Sequence, residues 1–345
     1  AELVVNPAPA GTPTPPVDLP VEARVSVEEV SVEEVIVDAP AVATVEEPSS
    51  GAETTEEVLV MSPLFWTSLR YEALDQLEKA AVDAGQSAEP WERLLAQVVA
   101  AQDLDRLTRL ARHLRQKRPF GDHVRRLIEA HLARLREDYT AALRIYTSGL
   151  ATAPGHAALL GGLARCALYL GDEAALTNAL KTLDETGGES ADASYVRGTV
   201  AAGEDRAARA LEHLQICVRN VPDIDAMVGM AGLLAQHNLL GDAERSLRFA
   251  LNVSPQHPGV LDILGVVLYR SNKTTEAVRV FDKALGIAPN AWGTMLHLVE
   301  LYRDTGETLK AAALMRTLRA QRDQLDEDLR EVLDDLTAGS GTIDD

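Results

Sequence analysis

Residues 258–291 read PGVLDILGVVLYRSNKTTEAVRVFDKALGIAPNA. Leu261, Leu264, Gly265 and Leu268 recur at the three- and four-residue spacing of one helix face, and Asn272 follows where that face ends. Ala277, Phe281 and Ala284 mark a second helical face, which Pro289 stops. Small residues spaced around a bulky one suit two antiparallel helices in close contact.

The same unit recurs upstream. Pro154, Gly188, Pro222, Pro255 and Pro289 close successive units at steps of 34, 34, 33 and 34 residues. Ala142, Leu176, Ala210, Ala243 and Ala277 keep those steps, as do Tyr146, Leu180, Leu214, Leu247 and Phe281. A third series runs Gly149, Leu183, Cys217, Ala250 and Ala284. A fixed period of this length marks stacked copies of one supersecondary unit.

The pattern resembles the tetratricopeptide repeat. It covers roughly residues 88–325: a divergent unit at 88–122, with Trp91, Leu94 and Pro119 in register, then units at 123–156, 157–190, 191–223, 224–257, 258–291 and 292–325. Gly171-Asp172, Gly241-Asp242 and Gly306-Glu307 match the turn inside each pair, where glycine relieves a left-handed backbone. Two units depart from the pattern. Leu176 replaces a small alanine in 157–190, and Asp323 stands at the closing proline of 292–325, which predicts irregular packing in both. The resemblance implies an all-α fold, a right-handed superhelical solenoid of antiparallel helix pairs.

Flanking segments complete the organisation. Ser62 as N-cap and Pro63 at the first helical position open an N-terminal helix over 63–87, lined by Leu64, Phe65, Leu69, Leu74, Leu77 and Ala81. Residues 326–345 read as a polar capping helix and a frayed tail, with Asp326-Glu327-Asp328 as charge at the helix start. Residues 1–62 are different: thirteen acidic groups against Arg24 alone, eight of the sixteen prolines and no aromatic residue. Such a segment buries too little apolar surface to offset its chain entropy, so the expectation is a disordered acidic tether. Within it Ser26-Val27-Glu28-Glu29-Val30 repeats at once as Ser31-Val32-Glu33-Glu34-Val35.

A solenoid of helical hairpins offers a concave surface lined by the first helix of each unit. In the family that surface binds peptides and helices, so the resemblance implies a non-catalytic scaffold, adaptor or assembly factor with a protein partner. Family positions two, five, nine and twelve place His131, Arg134, Arg165, Tyr195, Thr199, Val228, Gly232, Asp262, Val266, Tyr269 and Arg303 in this groove. A clamp for chaperone tails needs lysine and asparagine donors at these positions, and none is present. Alternative readings are a membrane-tethered subunit of a bacterial-type pilus, secretion or envelope machine, or a regulatory subunit of an enzyme complex.

Charge adds one local feature. In a chain of net charge −20, residues 106–136 carry ten basic groups against Asp122 and Glu129. Arg106, Arg109, Arg112, Arg115, Lys117, Arg118, Arg125 and Arg126 form a basic patch open to three readings: a solvated helix face, a site for an acidic protein, or a site for the chain's own acidic tail. Nucleic acid is disfavoured by the overall charge and by the lack of aromatic residues among the arginines.

No catalytic, cofactor or metal motif is expected. The eight histidines form no pair at the helical ligand spacing of three or four, and no glycine loop is built to cradle phosphate. Cys166 and Cys217 fall at small positions of their units and read as packed free thiols. No run is apolar for long enough to span a bilayer. Free thiols suit a reducing, cytoplasmic compartment, whereas a lost N-terminal anchor ahead of the tether would place the chain in a periplasm.

Overall fold

The computed structural model describes residues 59, 61–62, 64–84, 87–116 and 122–338. The expected tether, and Lys117 and Arg118, lie outside the described residues. Among the described residues every regular element is helical. Two short helices, α1 (Phe65–Ser68) and α2 (Leu74–Asp83), precede seven pairs. The pairs are α3 (Ala88–Ala100) with α4 (Leu104–Gln116), α5 (Asp122–Leu135) with α6 (Tyr139–Leu150), and α7 (Ala157–Leu170) with α8 (Glu173–Thr186). Next come α9 (Ala191–Gly203) with α10 (Ala207–Asn220), α11 (Ile224–Gln236) with α12 (Leu240–Val253), and α13 (Pro258–Arg270) with α14 (Thr274–Ile287). The array ends with α15 (Trp292–Asp304) and α16 (Thr308–Ala320), followed by a 3-10 turn at Arg322–Gln324 and α17 (Glu327–Ala338).

One backbone device makes every pair. A left-handed residue ends each first helix at Gln102, Glu137, Gly171, Asp205, Asn238, Asn272 and Gly306. Immediately after it an N–H donates back to the helix, as in Asp103 to Val98 (3.1 Å), Asp172 to Ala167 (2.9 Å), Leu239 to Leu234 (2.8 Å) and Lys273 to Leu268 (2.9 Å). This closure satisfies carbonyls that a helix C-terminus otherwise leaves open. Gly171 and Gly306 serve as expected. Gly241 does not: it lies inside α12, and Asn238 at φ 59° makes that turn, since a short polar side chain tolerates the left-handed region.

The repeated positions are the core. Ala142, Ala210, Ala243 and Ala277 are fully buried, as are Tyr146, Leu247, Leu183, Cys217, Ala250 and Ala284. A Cβ on Gly265 would stand 2.4 Å from the Phe281 ring, and one on Gly198 would stand 2.8 Å from Leu214. Glycine on the first helix therefore accepts the bulky residue of the second. Successive first helices touch from α3 to α15, while successive second helices meet at most marginally. First helices consequently line the inner face of the solenoid and second helices its outer face.

Both departures from the pattern have structural counterparts. Leu176 is only half-buried where the alanines are closed off, and α8 barely meets α9; α7 lies directly against α9 instead. Gly161 permits this, because a Cβ there would stand 2.0 Å from Ser190 Oγ. At the other end Asp323 sits in the 3-10 turn, and α17 closes the array by burying its own Leu333, with Leu325, in one cluster with Met295, Val299 and Leu318. Asp326 caps α17 by accepting from Leu329 N–H at 2.8 Å.

The expected single helix over 63–87 is broken. Leu69 (ψ 135°) and Ala73 (ψ 133°) are extended, so the chain leaves α1, bends and re-enters α2. Leu64, assigned to the apolar face, is 71% exposed. Leu59, Met61, Phe65, Trp66 and Leu69 are buried instead. Trp66 meets Phe249 with ring centroids 5.1 Å apart, Arg219 lies over Phe65, and Tyr71 donates to the Val218 carbonyl.

Candidate functional site

The inner face divides into a closed part and an open part. In the closed part Arg165 of α7 is 3% exposed and sits among three carboxylates. It donates to Asp192 at 2.8 Å and to Asp223 at 2.7 and 3.3 Å, and it also reaches Asp225. Its guanidinium lies 3.8 Å from the Tyr195 ring centroid, and Arg134 of α5 pairs with the other oxygen of Asp192 at 2.8 Å. Asp223 doubles as the N-cap of α11, accepting from Ala226 N–H at 2.9 Å.

The charges of this cluster are interdependent. Burial opposes the charge of Arg165, but Asp223, Tyr169, Asp225 and Asp192 outweigh it, so its pKa stands well above the ordinary value. Burial alone would raise Asp192, yet Arg134 and Arg165 hold its carboxyl well below the usual range. Two guanidiniums face three carboxylates, and Asp223, the deepest, is the one that burial pushes upward. His131 adds no charge. Burial, with Arg134 beside it, pushes its pKa down to about 3, and its Nδ1 shares a 2.7 Å hydrogen bond with the Tyr146 hydroxyl.

Helix α3 lies over this cluster. Gln97 donates to the Asn220 carbonyl at 3.2 Å, and Gln102 donates to Asp225 at 2.7 Å while its oxygen meets His257 Nε2 at 3.0 Å. Between α3, α5 and the starts of α7 and α9 lies a cavity of about 370 Å³, bordered by Glu92, Ala96, His131, Arg134, Asp192 and Asp223. Of the expected groove residues, His131, Arg134, Arg165 and Tyr195 thus belong to the interior.

The open part runs along α9, α11, α13 and α15. Thr199, Val228, Gly232, Asp262, Val266, Tyr269 and Arg303 are all partly exposed there. A Cβ on Gly232 would meet nothing within 4 Å. Several side chains already have partners: Asp262 meets His297 Nδ1 at 2.9 Å, Tyr269 bonds Asp304, and Arg303 donates to the Leu336 carbonyl at 3.0 Å. Burial disfavours the charge of His297, but Asp262 outweighs burial and raises its pKa.

The described residues of the basic patch lie on the neighbouring helices α4 and α5. Arg106 is taken up by Asp75 at 2.8 Å, Glu78 at 3.1 Å and Asp103 at 3.3 Å. Arg109 and Arg112 are exposed on α4, and Arg125 and Arg126 lie on α5. Arg115 belongs to α4. Cys166 and Cys217 are fully buried free thiols, and burial pushes Cys166 up to about 11 and Cys217 well above its ordinary value. Neither is a thiolate near neutral pH.

The fold also assembles a group that local spacing missed. Glu92 of α3, His123 of α5 and His156 at the start of α7 bring one ligand atom each to within 4.8 Å of one another. Short-range histidine spacing could not reveal it; the available signal was that His123 and His156 stand one repeat length apart.

Comparison with solved structures gives the architecture its place. A chain of the APC/C hetero-tetramer Cut9–Hcn1 matches with TM-score 0.58 and 14% identity, over 76% of this chain and 51% of that one. The chain therefore spans about half the length of that relative. PilW, a widely conserved type IV pilus biogenesis factor, matches with TM-score 0.50 and 18% identity, over 60% of this chain and 96% of its own. The fold is the tetratricopeptide-repeat solenoid. A thermophilic TPR protein in Thermus thermophilus matches at 21% identity over 52% of this chain and 98% of its own, with TM-score 0.43. No protein-family model and no curated protein sequence matches the chain. Identities this low speak for the fold and not for a shared activity.

Proposed function

We propose that the protein is a non-catalytic interaction scaffold that holds an extended or helical segment of a protein partner along the open part of its inner face. One observation carries this reading. Val228 and Val266 stand partly exposed on neighbouring first helices, and Gly232, one turn after Val228 on α11, leaves open space where a side chain would otherwise project. Apolar walls with a backbone floor suit a ligand that buries side chains and offers its own main chain. The closed part supports the scaffold role by holding the curvature fixed. Acyl transfer at the thiols is disfavoured, since both are buried and protonated.

The test is affinity capture from the native source with the full chain, beside the full-length Val228→Glu/Val266→Glu variant. A discrete partner retained by the parent and lost by the variant, with unchanged circular dichroism, supports the groove. Equal capture by both would refute it. A second reading, a subunit of an envelope machine, is favoured by the acidic Pro-rich N-terminal composition and the PilW likeness. It predicts a stoichiometric complex that resists high salt.

A further inference from the structure

We propose that Glu92, His123 and His156 form a binding site for a divalent transition ion, with Zn²⁺ the best fit, that staples α3 to α5 and α7. Glu92 Oε1 stands 3.2 Å from His156 Nε2 and 3.4 Å from His123 Nε2. A tetrahedral zinc ion with bonds of about 2.0–2.1 Å sets its ligand atoms about 3.3 Å apart. The two histidine rings lie 5.1 Å apart between centroids and are tilted by 45°, so both edges address the same carboxylate oxygen. Two edges of the ligand triangle are thus already at the tetrahedral spacing, and all three ligand atoms lie within 4.8 Å of one another.

Donor chemistry selects the ion. Two imidazole nitrogens and one carboxylate oxygen suit Zn²⁺, whereas Mg²⁺ and Ca²⁺ prefer all-oxygen shells. The side chains are 28%, 28% and 19% exposed, so water can reach a fourth position. The outer shell is unfinished: His156 Nδ1 is buried without a hydrogen-bond partner. Such outer partners are worth about 10–100-fold in affinity, so binding is expected to be weaker by about that factor than at a site with a finished outer shell.

The ligands are placed by three successive first helices, Glu92 on α3, His123 on α5 and His156 at the N-cap of α7, and Glu92 borders the cavity beside α3. A bound ion therefore couples the divergent first unit to the second and third. Binding to the folded state alone raises stability in proportion to occupancy, so Zn²⁺ should raise the melting temperature and slow hydrogen exchange along residues 88–100.

The test is calorimetric titration of the chelator-treated full chain with Zn²⁺, alongside the full-length His123→Ala and Glu92→Gln variants. Glu92→Gln preserves shape and keeps the comparison meaningful should His123→Ala disturb folding. Expected are one ion per chain, an affinity at least about 100-fold weaker in either folded variant, and exchange protection of 88–100 in the parent only. Cobalt substitution should give the intense visible bands of tetrahedral coordination. Absence of one-to-one uptake by the parent overturns the proposal, and so does uptake of equal affinity in both variants, which would place the ion on other histidines. In either case the two histidines are simply hydrogen-bond donors to Glu92.

Discussion

Replacing Arg165 with leucine tests whether the middle of the inner face is interior or binding surface. The change removes the group that touches Asp192, Asp223 and Asp225 together, and it leaves Arg134, paired with Asp192 alone, as the one guanidinium against three carboxylates. Leucine fills part of the vacated volume, so the cost is chiefly the uncompensated buried charge. Removing one partner of a buried pair costs about 3–5 kcal/mol. The lost contact with the Tyr195 ring, 3.8 Å away, adds about 0.5–2 kcal/mol. A total of about 3.5–7 kcal/mol is expected in urea unfolding. Units in a solenoid couple mainly to their neighbours, so hydrogen exchange should quicken across α7 to α11 and remain unchanged in α15 to α17. Adding Asp223→Asn removes one of the two excess negative charges, the deepest, while keeping a good N-cap, and it should restore at least half of the loss. A cost below about 1 kcal/mol, or a second change that adds to the first, would refute the interior assignment. Normal stability with lost partner capture would instead make Arg165 a ligand contact.

Two further outcomes follow from single residues. His131 is held neutral, with pKa about 3 against 6.5 when exposed, by burial and by Arg134 and Arg165; Asp192 opposes them. Below pH 6.5 the unfolded chain takes up a proton that the native chain refuses, so stability falls as pH drops towards 3 and is flat above 6.5 from this source. Between pH 6.5 and 5 the loss is about 2 kcal/mol, and His131→Gln should remove that slope from paired urea titrations. Gly161→Ala forces a Cβ to within 2.0 Å of Ser190 Oγ, the N-cap of α9. Overpacking and a displaced cap together should cost about 2–4 kcal/mol, whereas Gly155→Ala, whose Cβ would meet only Thr186 Cγ2 at 3.4 Å, serves as the control.

Sequence periodicity is a short-range property, and it was informative where packing is short-range. Ala277 against Phe281, or Gly265 beneath its ring, concerns residues of one hairpin, and such contacts recur with the period. The left-handed turn is likewise local, although its residue type misled at Gly241: Asn238 satisfies the same backbone at little cost. The groove assignment failed to separate inside from outside at His131, Arg134, Arg165 and Tyr195 for a different reason. Whether a first helix faces solvent depends on what the superhelix brings opposite to it. Helix α3 arrives there from 123 residues away in its contacts with Asn220 and Asp225. Glu92, His123 and His156 converge over a shorter span, 64 residues at most, across the neighbouring helices α3, α5 and the start of α7.

The polar contacts of α3 also do something the apolar pattern cannot. Each unit presents nearly the same small and bulky positions, so hydrophobic contact alone would let one unit dock on another in several registers. Gln97 with Asn220, and Gln102 with Asp225 and His257, occur once each. A slip by one unit would leave Arg165 or its carboxylates buried and unpaired, at a cost of several kcal/mol. Attraction is supplied by the repeated residues and selection by the unrepeated ones. The unrepeated polar residues Arg165, Asp192, Asp223 and Asp225 are therefore gathered where α3 and the turn after it meet the later units, away from the partly exposed Val228 and Val266 of the proposed groove.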